Sequence, residues 1–212
     1  MTSKTIIYYT ANQEDPKFEQ KIIDNLKKQA GDIPIISVSR KPIDLGKNIC
    51  VGEKPICYSN SFKQLLIGLE EAKTDFCISA ESDCLYPPEY FMFTPPLKDQ
   101  VYRYSNVYVY FDRHVGLWMK KFTEAGQMCG RKHWIKSIKK VLKGHKGWEP
   151  IPNKELPQIF DTENQFSWHG RNPILYFKTR KGIGFKTGFL PGSTLNIPYW
   201  GTYFQIKERY LR

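Results

Sequence analysis

Several motifs that carry well-characterised chemistry are missing from this 212-residue sequence. There is no Walker-type phosphate loop, no G-x-G-x-x-G after the first predicted strand and no G-x-S-x-G elbow. The histidines lack the i, i+4 pairing of an H-E-x-x-H zinc site. These absences disfavour P-loop NTPases, Rossmann dinucleotide enzymes and α/β-hydrolases, and they exclude a zinc site of that kind.

Paired cysteines and long apolar runs are also lacking. The five cysteines are an odd number without C-x-x-C spacing, which predicts reduced thiols rather than a disulfide framework or a zinc site. The uninterrupted apolar runs are too short to span a bilayer, and the first residues show no signal-peptide pattern. We therefore expect a cytoplasmic protein without a transmembrane segment, in the host cell if the source is viral.

Acidic residues are few relative to basic ones: 21 Asp and Glu against 32 Lys and Arg give a formal net charge of +11. Such a balance attracts polyanions, either nucleic acid or an anionic membrane surface. The alternative is a basic surface that only keeps the protein in solution.

Strand-like and helix-like segments alternate over the first 83 residues. Apolar or β-branched runs predict strands at 5–10, 34–38 and 76–80. A helix is predicted from Pro16 to Gly31, with Asp15 as its N-cap, and another over 61–72. This β-α-β-α-β order predicts parallel strands whose carboxyl ends gather ligands at one edge of the sheet.

Two carboxylates follow the third of these strands. Glu81 and Asp83 stand at i and i+2 directly after an apolar run. Mg²⁺ and Mn²⁺ prefer oxygen ligands, and Mg²⁺ commonly takes one or two carboxylates together with substrate phosphates. The pair therefore indicates a metal site for a nucleotide diphosphate, the alternative being a polar turn with Asp83 as an Asx-turn.

The rest of the sequence has a different character. An aromatic run over 101–111 predicts a strand or hairpin, and 174–177 predicts a strand. Residues 116–119 and 126–130 are interpreted as loops, the second opening a helix over 131–143. That helix has one apolar face and a cationic stripe without acidic residues.

The first-strand end Thr10-Ala11-Asn12, the helix start Asn60-Ser61 and the segment Ala80-Glu81-Ser82-Asp83 together resemble a GT-A glycosyltransferase of the family 2-like type. The likeness covers residues 5–93 well and the remainder loosely. It implies a single α/β, Rossmann-like domain over 1–212 with a mostly parallel central sheet flanked by helices. Residues 1–93 would bind the nucleotide-sugar and 94–212 the acceptor. Glu81 departs from the usual Asp of the DxD motif, which makes Asp83 the safer ligand.

The resemblance also implies roles for individual residues. It implies a nucleotide-sugar, with a UDP-sugar favoured, contacted by Thr10, Asn12, Arg40 and Ser82. It implies Mn²⁺ or Mg²⁺ held by Glu81, Asp83 and His169. The catalytic base would be Asp161 or Glu163, and the acceptor would meet Gln127, Arg131 and Lys132. Each of these residues can instead be an ordinary turn, cap or surface residue.

The acceptor is the least constrained prediction. Charge and abundant aromatics favour a hydroxylated base in DNA, as some phage-type glucosyltransferases modify. The alternatives are a lipopolysaccharide or lipid-linked glycan, and a nucleic-acid-binding protein without enzymatic activity. A nucleotidylyltransferase is disfavoured because Ala11-Asn12-Gln13-Glu14 supplies no glycine-rich basic loop. The sequence does not determine the oligomeric state.

Overall fold

The computed structural model describes residues 3–112, 114–120, 125–145, 147–152, 165–178 and 192–212. The first half of the chain alternates strands and helices as the sequence predicts. Its elements are β1 (Lys4–Thr10), α1 (Pro16–Ala30), β2 (Ile35–Ser39), β3 (Lys47–Cys50), α2 (Tyr58–Glu71) and β4 (Phe76–Glu81).

The second half contributes shorter strands and three helices among its described residues. They are β5 (Cys84–Leu85), α3 (Pro88–Met92), β6 (Val101–Tyr104), β7 (Val107–Phe111), β8 (Leu117–Lys120), β9 (Gln127–Gly130), α4 (Arg131–Val141), β10 (Gln165–Trp168), β11 (Ile174–Lys178), β12 (Asn196–Ile197), β13 (Gly201–Thr202) and α5 (Tyr203–Leu211).

The main sheet has seven strands in the order β10-β6-β9-β4-β1-β2-β3. All of its pairings are parallel except those of β9, which is antiparallel to both β4 and β6. Because β1, β2, β4 and β6 run in the same direction, their carboxyl ends lie at one edge, called here the carboxyl edge. The predicted α/β class with a mostly parallel central sheet is confirmed.

Helix α1 shows how local sequence sets an element's limits. Asp15 accepts hydrogen bonds from the amides of Lys17 and Phe18 at 2.9 and 3.1 Å, as an N-cap does. Pro16 occupies the first helical position, where its missing N–H costs nothing. Gly31 ends the helix with a φ of 57°, a backbone conformation that residues with a Cβ rarely adopt.

The main sheet is covered on both faces. One face carries Ile6, Tyr8, Ile78 and Met128, with residues of α1 and α3 packed against them. The other face carries Ile7, Tyr9, Cys77 and Cys129 under α2 and α4, and is called here the α2–α4 face. Because the sheet is buried on both faces, the sequences of its strands are nearly continuous apolar runs.

A second sheet, in the order β5-β11-β7-β8, lies beside the main one. The aromatic run over 101–111 divides between the two sheets, because β6 belongs to the main sheet and β7 to the second. Ser105 and Asn106 are the two residues between β6 and β7. Among the described residues, no helix has the length and apolar character needed to cross a membrane.

Three segments differ from their interpretation as loops. Residues 116–119 fall largely within β8, 126–130 contain β9, and β3 lies in the loop predicted between the second strand and the second helix. These strands are four residues long and poor in β-branched side chains, so their pairing with neighbours, rather than intrinsic propensity, makes them strands.

Candidate active site

The carboxyl edge brings together the ends of β1, β2 and β4. In the register of the sheet Thr10 lies opposite Ser39, and Tyr9 lies opposite Glu81. The loops that follow these strands therefore start side by side. The convergence that the β-α-β-α-β order predicts is present.

Glu81, Asp83 and Cys84 form an acidic cluster at this edge, with one ligand atom from each lying within 4.8 Å of the others. Glu81 ends β4, and the turn through Ser82 brings Asp83 back beside it. The Cys84 thiol donates a 3.6 Å hydrogen bond to Asp83 Oδ1. Glu81 and Asp83 thus supply two hard oxygen ligands at one point.

Electrostatics at the cluster are unfavourable without a cation. Burial raises the pKa of Asp83 well above its usual range, and the nearby charges of Glu81 and Glu14 raise it further. Lys178 opposes this shift. Burial and the two carboxylates also raise the pKa of the Cys84 thiol. A protonated thiol is a poor ligand for Mg²⁺ or Mn²⁺, so the carboxylates are the fitting pair.

Tyrosines hold the cluster in place. The Tyr9 hydroxyl donates to Glu81 Oε1 at 2.5 Å, and the buried Tyr86 hydroxyl accepts from the Glu81 amide at 2.9 Å. Tyr176 contacts Asp83 and accepts a 3.0 Å hydrogen bond from Lys178 Nζ. Such partners around ligating carboxylates fix their orientation.

The loops after β1 and β2 are joined through the predicted sugar-donor residues. Asn12 has a φ of 50°, and its side-chain oxygen accepts from the amides of Arg40 and Lys41, both at 2.9 Å. The Arg40 guanidinium donates to the Ala11 carbonyl at 3.2 Å and pairs with Glu53. Thr10 Oγ1 accepts from the Asn12 amide at 2.9 Å.

A buried glutamine of α2 locks the same two strand ends. Gln64 Nε2 donates to the carbonyls of Thr10 and Val38 at 2.8 and 3.1 Å. Thr10 is the last residue of β1, and Val38 is the last but one of its parallel neighbour β2. The carboxyl edge is therefore held by side chains as well as by the sheet.

The other predicted site residues lie in different places. Ser82 lies in the turn of the cluster, and Gln127 begins β9 at the carboxyl edge. His169 follows β10 and is exposed; its Nδ1 lies 3.1 Å from Ser105 Oγ, and it is not a member of the cluster. Asp161 and Glu163 lie outside the described residues.

The structure places Arg131 and Lys132 beyond β9, away from the cluster and from the start of the strand at Gln127, and their contact with the acceptor stays a prediction. Strand β9 runs antiparallel to β4, so its carboxyl end lies at the opposite edge of the sheet. There the Arg131 amide donates to the carbonyl of Asp75, the residue before β4. The expectation treated 126–130 as a loop, whereas a strand carries the chain across the sheet.

No family model matches the sequence, and no curated protein matches it. Solved structures do resemble the fold. TarS residues 1–349 from S. aureus, in complex with UDP-GlcNAc, superimposes with a TM-score of 0.50 and 13% identity over 86% of this chain and 60% of that one. At this identity the likeness shows the fold alone. The predicted GT-A-like fold is confirmed.

Two further structures give lower scores. A glycosyltransferase involved in glycosylating the major capsid of PBCV-1 gives a TM-score of 0.49 at 8% identity, over 82% of this chain and 93% of that one. The bifunctional IspDF from Campylobacter jejuni gives a TM-score of 0.41 at 11% identity, over 81% of this chain and 50% of that one. The chain thus spans half the length of IspDF and less than two thirds of the TarS fragment.

Several residues of the site were not predicted. The sequence predicts only a strand at Tyr9 and a helix at Gln64, and it indicates no role for Tyr86. One signal was present for Tyr9, because a hydroxyl at the end of a buried strand requires a partner. Arg103, which is buried on β6 opposite Gln127 of β9, had no local signal in the sequence.

Proposed function

We propose that this protein is a metal-dependent glycosyltransferase that moves a sugar from a nucleotide-sugar to an acceptor hydroxyl. The observation that carries the proposal is the pair of carboxylates, Glu81 and Asp83, at the shared carboxyl edge of β1, β2 and β4. Open α/β sheets bind their ligands at this edge. The GT-A-like fold supports the same activity.

Each group of residues at the site has a separate role in this proposal. Glu81 and Asp83 would hold Mn²⁺ or Mg²⁺, which supplies positive charge to the diphosphate leaving group when bound. Tyr9 and Tyr86 keep Glu81 in position. The joined loops of Asn12 and Arg40 form the wall beside the cluster where the nucleoside would lie. Asp161 or Glu163 remains the proposed base for the acceptor hydroxyl.

A UDP-sugar is the proposed donor, and the neighbouring TarS fragment was solved with UDP-GlcNAc. Thermal unfolding in the presence of Mn²⁺ or Mg²⁺ and a panel of UDP- and GDP-sugars tests this, because a ligand that binds the native state raises the midpoint. We expect a rise with at least one metal and nucleotide-sugar pair. Asp83→Asn should abolish it, whereas Asn at the exposed turn residue Asp32 should leave it intact.

No response from any pair, or an equal response from Asp83→Asn, would contradict the proposal. The absence of any response would favour a nucleic-acid-binding protein in which the carboxylates are incidental. Such a protein should keep its affinity for DNA after the Asp83→Asn substitution.

We propose a hydroxylated base in DNA as the acceptor. Helix α4 and the residues after it carry an exposed row of lysines on the outside of the α2–α4 face: Lys132, Lys136, Lys139, Lys140 and Lys143. Lys139 pairs with Glu70 at 2.6 Å. Together with the net charge of +11, this row supports a polyanionic acceptor.

Transfer of labelled sugar separates the possible acceptors. Duplexes containing 5-hydroxymethylated bases should accept the sugar, while otherwise identical unmodified duplexes should not. Raising the salt concentration should weaken binding to both, because phosphate contacts release counterions. If labelled sugar is transferred to a lipopolysaccharide or lipid-linked glycan and to neither duplex, the acceptor is an anionic glycan and not DNA.

A further inference from the structure

The interior of the main sheet contains a polar row beside the acidic cluster. Gln127 on β9 lies opposite Arg103 on β6, and the backbone N–H of Gln127 donates to Ser79 Oγ on β4 at 3.0 Å. Gln127 and Ser79 are 0% exposed, and Arg103 is 3% exposed. A row of this kind in a sheet buried on both faces is unusual, because buried polar groups are stabilising only when they are paired.

The carboxamide of Gln127 is buried without a partner. Neither its Oε1 nor its Nε2 has a hydrogen-bond partner, although its backbone groups are all engaged with Ser79 and Tyr90. A carboxamide offers two N–H donors and one acceptor. Leaving them unpaired destabilises the fold, so an apolar residue would serve stability better at this position.

Its location connects this amide to the proposed leaving group. Side chains alternate along a strand, and Cys129 and Cys77 pack on the α2–α4 face, so Gln127, Ser79 and Glu81 share that face. Glu81 lies two residues beyond Ser79 and one strand away from Gln127. From the spacings within a sheet, their Cα atoms are about 8 Å apart. One pyranose ring spans such a gap.

Small residues lie between Gln127 and the carboxyl edge. Ala125 and Gly126 precede it, and neither has a side chain larger than a methyl group. Their carbonyls are used by the backbone and by Ser79, Tyr86 and Tyr104. Only these two small residues separate the Gln127 carboxamide from the carboxyl edge. A sugar whose diphosphate is bound at Glu81 would extend toward the carboxamide.

We propose that the Gln127 carboxamide binds hydroxyl groups of the transferred sugar and sets which sugar is used. This inference rests on the proposed function, and it assigns Gln127 to the sugar of the donor rather than to the acceptor. Two neighbouring hydroxyls can satisfy Nε2 and Oε1 together. A site built to pair with hydroxyls rejects a sugar that lacks or inverts one, because the amide is then left unpaired.

The test compares Gln127→Leu with the wild-type protein in three measurements. Without ligand, Gln127→Leu should unfold at the same or a higher temperature, since an unpaired amide is removed. Its affinity for UDP with Mn²⁺ should be unchanged, while its affinity for the preferred UDP-sugar should fall about 10- to 100-fold. The matched control is Gln64→Leu: the Nε2 of this buried amide donates two hydrogen bonds, and their loss should lower stability.

Gln127→Asn keeps an amide on a shorter side chain and gives a second readout. It should retain transfer with a changed order of preference among epimeric sugars. The inference is overturned if wild-type protein binds UDP-sugars and both variants bind the same sugars equally well. It is also overturned if Gln127→Leu is destabilised as strongly as Gln64→Leu. Absence of nucleotide-sugar binding by the wild-type protein would overturn the proposed function together with the inference.

Discussion

Tyr9 lies directly opposite Glu81 in the register of β1 and β4, and its hydroxyl donates a 2.5 Å hydrogen bond to Glu81 Oε1. The bond joins β1, which precedes the loop containing Asn12, to β4, which carries Glu81. Glu81 is therefore held in position by a residue 72 positions earlier in the chain.

Replacing Tyr9 with phenylalanine should weaken metal binding without unfolding the protein. The ring remains in the core, but Glu81 loses the partner that orients it, and loss of such a partner weakens metal affinity by about 10-fold or more. Titration of Mn²⁺ followed by electron paramagnetic resonance measures this. Tyr108→Phe on β7, in the second sheet, is the control and should bind Mn²⁺ like the wild-type protein. Equal affinities for the two variants would show that Tyr9 does not support the ligand.

Replacing Gln64 with leucine should loosen the carboxyl edge. The carbonyls of Thr10 and Val38 would be left unpaired in the interior, at a cost of about 1–3 kcal/mol. Urea unfolding measures the loss. Gln13→Leu, at an exposed position beyond β1, should change the free energy of unfolding by less than about 0.5 kcal/mol. A loss equal to that of the control would mean that water replaces the amide.

Glu19 makes stability depend on pH in a predictable direction. It is buried in α1 and accepts a 3.0 Å hydrogen bond from Tyr8, and burial raises its pKa above the ordinary value, partly offset by the Thr10 and Tyr8 hydroxyls. A raised folded-state pKa gives a contribution that is present below the ordinary pKa and lost as the pH rises through the folded one. Ionisation of Glu19 as the pH rises therefore destabilises the native state.

Glu19→Gln should gain stability relative to the wild-type protein on going from pH 4 to pH 7, because glutamine stays neutral throughout. Unfolding free energies measured in urea at four pH values would reveal the trend. A difference between the two proteins that is constant over this range would contradict the assigned cause.

The sequence predicts the first half of the fold well because its signals are local. Asp15, Pro16 and Gly31 set the limits of α1 through capping and backbone conformation, which depend on a few neighbouring residues. The carboxylates after β4 were identified for the same reason. Helix α2 is a partial exception, since it begins at Tyr58 after Cys57, which makes no side-chain cap, rather than at the predicted Ser61.

Pairing between distant segments could not be predicted. Strand β9 contains two glycine-flanked, weakly β-forming residues, Met128 and Cys129, and exists because β4 and β6 each offer it an open edge. Its antiparallel direction then determines that Arg131 lies far from the cluster. The unpaired amide of Gln127 was likewise invisible, because burial without a partner is a property of the packed structure.

The link at Ser105 and Asn106 has a mechanical consequence. Strand β6 passes through it into β7, and β10 passes through 169–173 into β11, so two parallel pairs, β6 with β10 and β7 with β11, cross from one sheet to the other side by side. Ser105 donates its amide to the Trp168 carbonyl, and Asn106 accepts from the Ile174 amide, at the bend itself. The two sheets consequently share one continuous folded ribbon. Amide protons of β6 and β7 should exchange with solvent as one cooperative unit.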